Sequence, residues 1–298
     1  MSLDTFEAEG RFYRGNLHMH STRSDGRLTP EALVDVYRQA GYDFVALTDH
    51  FMASYDWPVT DTRSFRSEGF TTLLAAELHT GKTNVGETWH LKAIGLPLDF
   101  PPPSSSETAS ELARRAAGEG AFIGIVHPSW YGLTAEDART IEVAHAVEIY
   151  NHGSYLEVDR GSDWPFLDRL LNDGWRLTGY ASDDAHFWID DAFGGWVYVK
   201  SNALEPEHLL DALKAGRYYS SQGPLLHGIE VRDGQVEVHC SEASTIAVVG
   251  RGAKSESVRG CAMVEGMLPI ERFQGGYFRV TVMDAAGARA WSNPIWMD

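Results

Sequence analysis

The most constraining feature of this sequence is a unit that recurs about six times: a short apolar run, too short for a helix and often bounded by glycine, that stops at a residue able to bind a metal ion. Asn16-Leu17 leads into His18-Met19-His20, Phe44-Val45-Ala46-Leu47 into Thr48-Asp49-His50, and Leu73-Leu74-Ala75-Ala76 into Glu77. Phe122-Ile123-Gly124-Ile125-Val126 stops at His127-Pro128, Val147-Glu148-Ile149-Tyr150 at Asn151-His152, and Leu177-Thr178-Gly179-Tyr180 just before Ser182-Asp183-Asp184-Ala185-His186. Runs of this length and composition read as buried parallel strands.

Helical patterns lie between the runs: over 30–40, with Thr29 as N-cap, Pro30 in the first position and Gly41 as the stop; over 107–117; and over 162–172. Strand alternating with helix predicts an α/β fold with a parallel sheet. Polar residues at six strand ends suit convergence around a ring better than an open doubly wound sheet, which gathers its ligands at one switch point. The expectation is a TIM-like barrel with its chemistry at the C-terminal ends of the strands.

After a last amphipathic helix over 206–215 the period changes to two. Residues 229–239 alternate apolar and polar around Asp233-Gly234, a hairpin signal, and 245–249 and 277–283 also read as strands. A chain of 298 residues can hold a large domain and a small appendage. Residues 1–222 are therefore expected to form the barrel and 223–298 a small antiparallel, sandwich-like β domain that carries no ligand cluster.

The spacing within the motifs is informative. His18-x-His20 puts two imidazoles on one side of an extended segment, because strand side chains repeat every second residue. Asp25 follows in a loop where Gly26 permits the tight turn that returns a carboxylate over the strand end. Glu77 can bridge two cations, Asp184-x-His186 repeats the every-second-residue logic, and His90 and His127 could hold a further ion. A lone histidine is usually a surface or core residue, but six of the 12 histidines fall in this constellation, which chance explains poorly.

The candidate ligands are therefore His18, His20, Asp25, His50, Glu77, His90, His127, Asp184 and His186. Imidazole and carboxylate without thiolate suit two or three ions of Zn, Mn or Fe better than Ca or Mg. Such clusters activate water and polarise an electrophile, so hydrolysis is the natural reaction. No Gly-x-Ser-x-Gly elbow and no Walker or dinucleotide glycine pattern supports covalent or nucleotide-cofactor chemistry. Arg23 and Lys92 are candidate contacts for a phosphate. Asp49 is a candidate proton carrier or partner of His50, and His79, His145 and His152 read as structural.

A formal charge of −17 and the absence of any basic run exclude a nucleic-acid polymer as partner, while small anions remain compatible because bound cations invert the local field. No stretch has the length and apolarity of a membrane span, and the acidic opening stretch lacks the features of a signal peptide, so no membrane partner and a cytoplasmic location are expected. Cys240 and Cys261 lack metal-type spacing and are expected to be reduced.

Taken in order, His18-x-His20, Asp25-Gly26, Thr48-Asp49-His50, Glu77, His90, His127-Pro128 and Asp184-x-His186 resemble the motifs of the PHP (polymerase and histidinol phosphatase) superfamily over about residues 12–222. The resemblance implies a distorted (β/α)7 barrel, two or three metal ions and phosphoesterase chemistry. It assigns His18, His20, Glu77 and Asp184 to one ion, Asp25, His50 and Glu77 to a second, and His90, His127 and His186 to a third. Asp25 stands where histidinol phosphatases of this type often have histidine, which argues against histidinol phosphate as substrate, and the chain is too short for a polymerase. The ending Trp291-Ser-Asn-Pro-Ile295 is similar to the carbaryl-hydrolase-like branch, whose members cleave aryl carbamates.

Three functions follow. The first is hydrolysis of a small-molecule phosphate mono- or diester, with Arg23 or Lys92 steadying charge. The second turns the same cluster on a carbamate, ester or amide carbonyl, with Trp57, Trp89, Trp130 and Trp188 as an apolar pocket. The third, a non-catalytic binding protein, would be expected to have lost ligands, and here the set is complete. The partner is a small, anionic molecule, and the C-terminal β region offers a surface for an oligomer.

Overall fold

The computed structural model describes residues 4–297, so the first three residues of the acidic opening stretch lie outside it. One turn of helix, α1 (Asp4–Glu7), precedes β1 (Arg11–Asn16), α2 (Pro30–Gln39), β2 (Phe44–Leu47) and the two-residue β3 (His50–Phe51). Thr29 Oγ1 accepts the Ala32 N–H at 3.3 Å and Pro30 occupies the first turn, so α2 starts where its capping residues predict. β4 (Thr71–Lys82) and β5 (Thr88–Ile94) are followed by α3 (Ala109–Gly118), which Thr108 and Glu111 close with a reciprocal capping box.

β6 (Phe122–Ile125), α4 (Ala135–Arg139), β7 (Ala146–Asn151), α5 (His152–Val158), α6 (Trp164–Asn172) and β8 (Thr178–Ser182) follow. The chain continues through β9 (Trp196–Ser201), α7 (Pro206–Lys214) and β10 (Tyr218–Ser221). It ends in β11 (Leu226–Arg232), β12 (Gln235–Gly250), β13 (Ser255–Pro269), β14 (Tyr277–Met283), β15 (Arg289–Ser292) and β16 (Ile295–Trp296).

The strands build one large mixed sheet with the order β11-β12-β14-β15-β10-β9-β1-β2-β4-β5-β6-β7-β8. Pairs β1–β2, β2–β4, β6–β7 and β7–β8 are parallel. Pairs β4–β5 and β5–β6 are antiparallel, which departs from the expected all-parallel sheet. The reason is that a short turn, not a helix, joins β4 to β5, and a short connection can only reverse the chain. β4 also runs on to Lys82, so Glu77 sits in mid-strand rather than at a strand end.

The sheet is not closed by a ladder. Beyond β1 and β8, however, Met19 bridges Ala185, His20 N–H donates to Ala185 O at 2.9 Å and Asp184 N–H donates to His18 O at 2.9 Å. Leu17, Phe44, Leu73, Ile94, Phe122, Tyr180 and Val197 form one buried cluster, and Leu112, Ala116, Ile123, Ile141, Val147, Leu167 and Leu170 form another that includes the inner faces of α3 and α6.

In the C-terminal part Arg232 pairs with Gln235, leaving Asp233 (φ 49°) and Gly234 (φ 74°) as a two-residue turn whose positive φ values match the twist of the hairpin. Alternate residues such as Ile229, Val236, Val238, Val280 and Val282 are buried together. The ladder nevertheless runs through residue 222: Tyr219 pairs with Ser292 and Ser221 with Ala290, which joins β10 to β15. Among the described residues no helix is long and apolar enough to cross a membrane.

Candidate metal centre

Register explains how the ligands meet. His50 is the parallel partner of Glu77, and across the β4–β5 pair Glu77 faces Lys92 and His79 faces His90. Opposed and every-second residues of a sheet share a face, so Glu77, His79, His90 and Lys92 all project the same way. Glu77 is fully buried at the middle of the result. Its Oε2 lies 2.8 Å from His50 Nδ1, 3.6 Å from His18 Nε2 and 3.5 Å from His20 Nε2. Its Oε1 lies 2.9 Å from His90 Nδ1 and 3.2 Å from His127 Nε2.

Three ligand groups share this carboxylate or border it. In the first, His18 Nε2 and His20 Nε2 each stand 3.0 Å from Asp184 Oδ1. These three atoms and Glu77 Oε2 are buried without any hydrogen-bond partner. Polar atoms this close that do not bond to one another are aimed at a common point. Donors about 2.1 Å from one cation are separated by roughly 3.0 to 3.4 Å, so the residues fit a divalent ion.

In the second group Asp25 stands 3.3 Å from His50 Nε2, 3.5 Å from His186 Nε2 and 3.9 Å from His20 Nδ1. The third group is Glu77, His90 and His127. His186 therefore joins Asp25 and His50 rather than His90 and His127. All nine candidate ligands come together, in a partition that differs from the one the resemblance implies.

Several residues outside that set prove central. His79 Nε2 is 2.8 Å from His50 Nδ1 and forms a group with His50 and Glu77, whereas the sequence reading leaves it as structural. Its signal was Glu77-x-His79, the same alternation that picks out His18 and His20. Glu148 Oε1 bonds His18 Nδ1 at 2.8 Å, which leaves Nε2 facing the centre, and Oε2 accepts the His127 N–H at 2.8 Å and Asn151 Nδ2 at 2.9 Å. Asn151 Nδ2 also donates to Asp184 Oδ2 at 3.0 Å. A carboxylate within the buried run Val147-Glu148-Ile149 was the available clue, since buried charges are rare without a partner.

The backbone is forced at two ligands. His127 has φ 26° and Asp184 φ 58°, conformations that cost non-glycine residues on the order of 1–3 kcal/mol and persist only where the surroundings hold them. Gly26 is needed for another reason: a Cβ there would come within 2.0 Å of His20 O, so the loop carrying Asp25 can pack on the strand extension only without a side chain.

Burial works against charge throughout the cluster: it prevails at His20, His79 and His90, which are held below the usual imidazole range, whereas opposite charges prevail at Asp25, His50 and His186. Although burial raises it, the Asp25 carboxyl is held far below the usual range by His186 and His50. Against burial, Glu77 and Asp25 push His50 up to about 10, and Asp25 and Asp184 push His186 up to about 9. The carboxylates thus draw protons onto His50 and His186, and cation binding would release them.

The remaining candidates stand apart from the cleft. Asp49 is buried and saturated: it accepts Ser21 N–H at 2.7 Å, Ser24 Oγ at 2.8 Å and Thr60 Oγ1 at 2.9 Å, so it organises the loop that presents Asp25. Lys92 is fully buried and donates to Thr48 Oγ1 at 3.2 Å; burial lowers it to about 8 against the pull of Glu77, Glu148 and Asp184. Arg23 is exposed, and neither cation lines the cleft. That cleft, of about 380 Å³, opens over the centre between Trp130 and Trp188. Trp89 is buried in the core instead, and Trp57 packs against it half-buried.

No family profile matches this chain, and no curated protein matches it in sequence. Among solved structures, the fold is similar to that of a two-domain protein from Bacteroides vulgatus containing a predicted PHP-like metal-dependent phosphoesterase, with 16% identity, 96% of each chain covered and a TM-score of 0.58. Looser, partial likenesses join it to a putative metal-dependent phosphoesterase from Bifidobacterium adolescentis (18% identity, 58% of this chain and 87% of that one, TM-score 0.44) and an amidohydrolase from Chromobacterium violaceum with bound sulfate and no metal (15% identity, 60% and 89%, TM-score 0.45).

Proposed function

We propose that this chain is a metal-dependent phosphoesterase of the PHP superfamily that hydrolyses a small-molecule phosphate mono- or diester. The observation that carries the metal is the set of unpaired buried atoms, His18 Nε2, His20 Nε2, Glu77 Oε2 and Asp184 Oδ1, gathered at 3.0–3.6 Å without bonding to each other. The order of the motifs supports the phosphoester, and the bridging of Met19 to Ala185 supports reading the curled sheet as a distorted barrel.

Two or three divalent ions of Zn, Mn or Fe would be held by the nine ligands and His79, and when bound they would activate water and neutralise the phosphoryl oxygens. The chain's own part is orientation. Glu148 fixes the His18 ring, Asn151 ties Glu148 to Asp184, and Asp184 O engages His186 Nδ1 at 2.9 Å so that Nε2 faces Asp25. Hydrolysis forms a bond from the water oxygen to phosphorus, breaks the bond to the leaving oxygen and leaves a proton on the departing group. The partner is a small anionic ester.

The test has two parts. Protein purified without chelator should carry about two or more equivalents of divalent metal, and fewer would sink the multinuclear reading. Parallel assays with p-nitrophenyl phosphate, bis-p-nitrophenyl phosphate and naphthyl carbamate should show metal-dependent turnover of a phosphoester; turnover of the carbamate alone would move the chain to the carbaryl-hydrolase-like branch.

A further inference from the structure

The walls of the cleft say more about the substrate than its floor does. Among the described residues, no lysine or arginine lines it, and its side walls add Glu157 and Asp191 to the ligand carboxylates. The adjoining cavity beside Tyr55 and Glu87 also has no lysine or arginine in its lining. Within these linings the cationic charge offered to a substrate would therefore come from the metal centre; the nearby Arg160 guanidinium donates to Trp130 O at 3.2 Å and does not line the cleft. A second phosphate or a carboxylate placed further out in the cleft would meet Glu157 and Asp191 and no lysine or arginine from its lining.

What the outer walls do offer is indole. Trp188 is 65% exposed and Trp130 40% exposed, and among the described residues these two are the large apolar side chains that line the cleft. Exposed indoles left to themselves sample many rotamers, but both of these are pinned. Trp188 Nε1 donates to Asp25 O at 2.7 Å, which fixes its ring beside the Asp25, His50 and His186 group. The Trp130 ring centroid lies 5.2 Å from that of His127 and 5.6 Å from that of His90, which fixes it beside the other group. Each exposed ring is thus anchored to a ligand or its loop, with a face left to solvent, an arrangement suited to stacking on a flat group.

We infer that the leaving group of the substrate carries a flat, uncharged ring held by Trp130 and Trp188, and no second anionic group. This rests on the phosphoester reading above. The anion is then bound by the centre and the ring by the indoles, so selectivity resides in the ring.

The experiment is calorimetric binding of three non-hydrolysable probes to the metal-loaded protein: methylphosphonate, phenylphosphonate and 4-carboxyphenylphosphonate. Phenylphosphonate should bind roughly tenfold more tightly than methylphosphonate, in line with stacking on an aromatic platform, and the carboxylate should cancel that gain. Trp130→Ala and Trp188→Ala should each weaken phenylphosphonate by about three- to tenfold more than they weaken methylphosphonate, so that the preference for the phenyl probe falls. Equal binding of phenyl and methyl probes, or tighter binding of the carboxylated one, overturns the inference alone. Failure of all three to bind overturns the phosphoester reading and the inference with it.

Discussion

The two ends of the chain use the same large sheet in opposite ways. From β1 to β8 the buried interior contains Asp49, Glu77, Lys92, Glu148, Asp163 and Asp183, together with His18, His20, His79 and His127. Among the described residues from 223 onward, the only buried charged side chain is Arg279, and it is neutralised by Asp168 of α6 at 2.9 Å. The first region holds polar groups in low-dielectric surroundings, where each needs a partner; the second is an alternating antiparallel sheet whose stability comes from apolar area. The same hydrogen-bonded ladder therefore links a region whose residues are placed for chemistry to one placed for packing.

That contrast breaks if damage to the packing region reaches the centre. Phe278 is fully buried in the C-terminal cluster, and Phe278→Ala should cost about 3–5 kcal/mol in chemical denaturation. Metal content and activity per folded molecule should be unchanged. Loss of metal from the folded variant would show that the sheet transmits strain through β15 and β10 into the ligand strands.

A smaller effect sharpens the contrast from the other side. Asp163 is buried in the segment before α6 and accepts the Ser129 N–H at 3.0 Å, which braces the loop after His127. Burial raises its carboxyl from 3.8 to about 7, against the pull of Ser129. Between those values the folded protein keeps a proton that the unfolded chain has released, so this contribution to stability is complete below about pH 4 and is lost as pH rises through 7. From pH 5 to pH 7 the loss is about 2–3 kcal/mol at 1.36 kcal/mol per unit. Asp163→Asn should flatten the denaturation midpoint across that window. A slope that survives the substitution assigns it to the histidine cluster instead.

The residues that were legible in the sequence are those with a local signature. The α2 boundaries follow from Thr29, Pro30 and Gly41, the hairpin from Asp233-Gly234, and the candidate ligands from alternation and from where apolar runs stop. What was not legible depends on pairing. That β5 runs antiparallel to β4 and β6, and so brings His90 opposite His79, is a matter of register, which no local pattern encodes. The same cause hid the grouping of His186 with Asp25, since a bridge between Met19 and Ala185 sets it. Lys92 was misleading for a third reason. Strand alternation does put it on the face that carries His90, but it sits further along β5, fully buried opposite Glu77, and donates to Thr48 Oγ1 instead of reaching the cleft.

Glu148 tests the smallest of these effects and the one most particular to the ligand-bearing region. It touches no candidate metal position with a free atom; it works through His18, His127 and Asn151. In Glu148→Gln the amide replaces one acceptor oxygen by a donor, so either the His18 Nδ1–H or the His127 N–H loses its partner, and the His18 ring is free to take the other tautomer. Outer residues of this kind typically change metal affinity by about 10- to 100-fold, or roughly 1.4–2.7 kcal/mol, and a neutral Gln should sit at that scale rather than abolish binding. Metal titration followed by calorimetry reads the effect directly, and excess metal should restore activity. Unaltered affinity would mean that strand packing alone orients His18, and that the buried carboxylate serves chiefly as the counter-charge to Lys92.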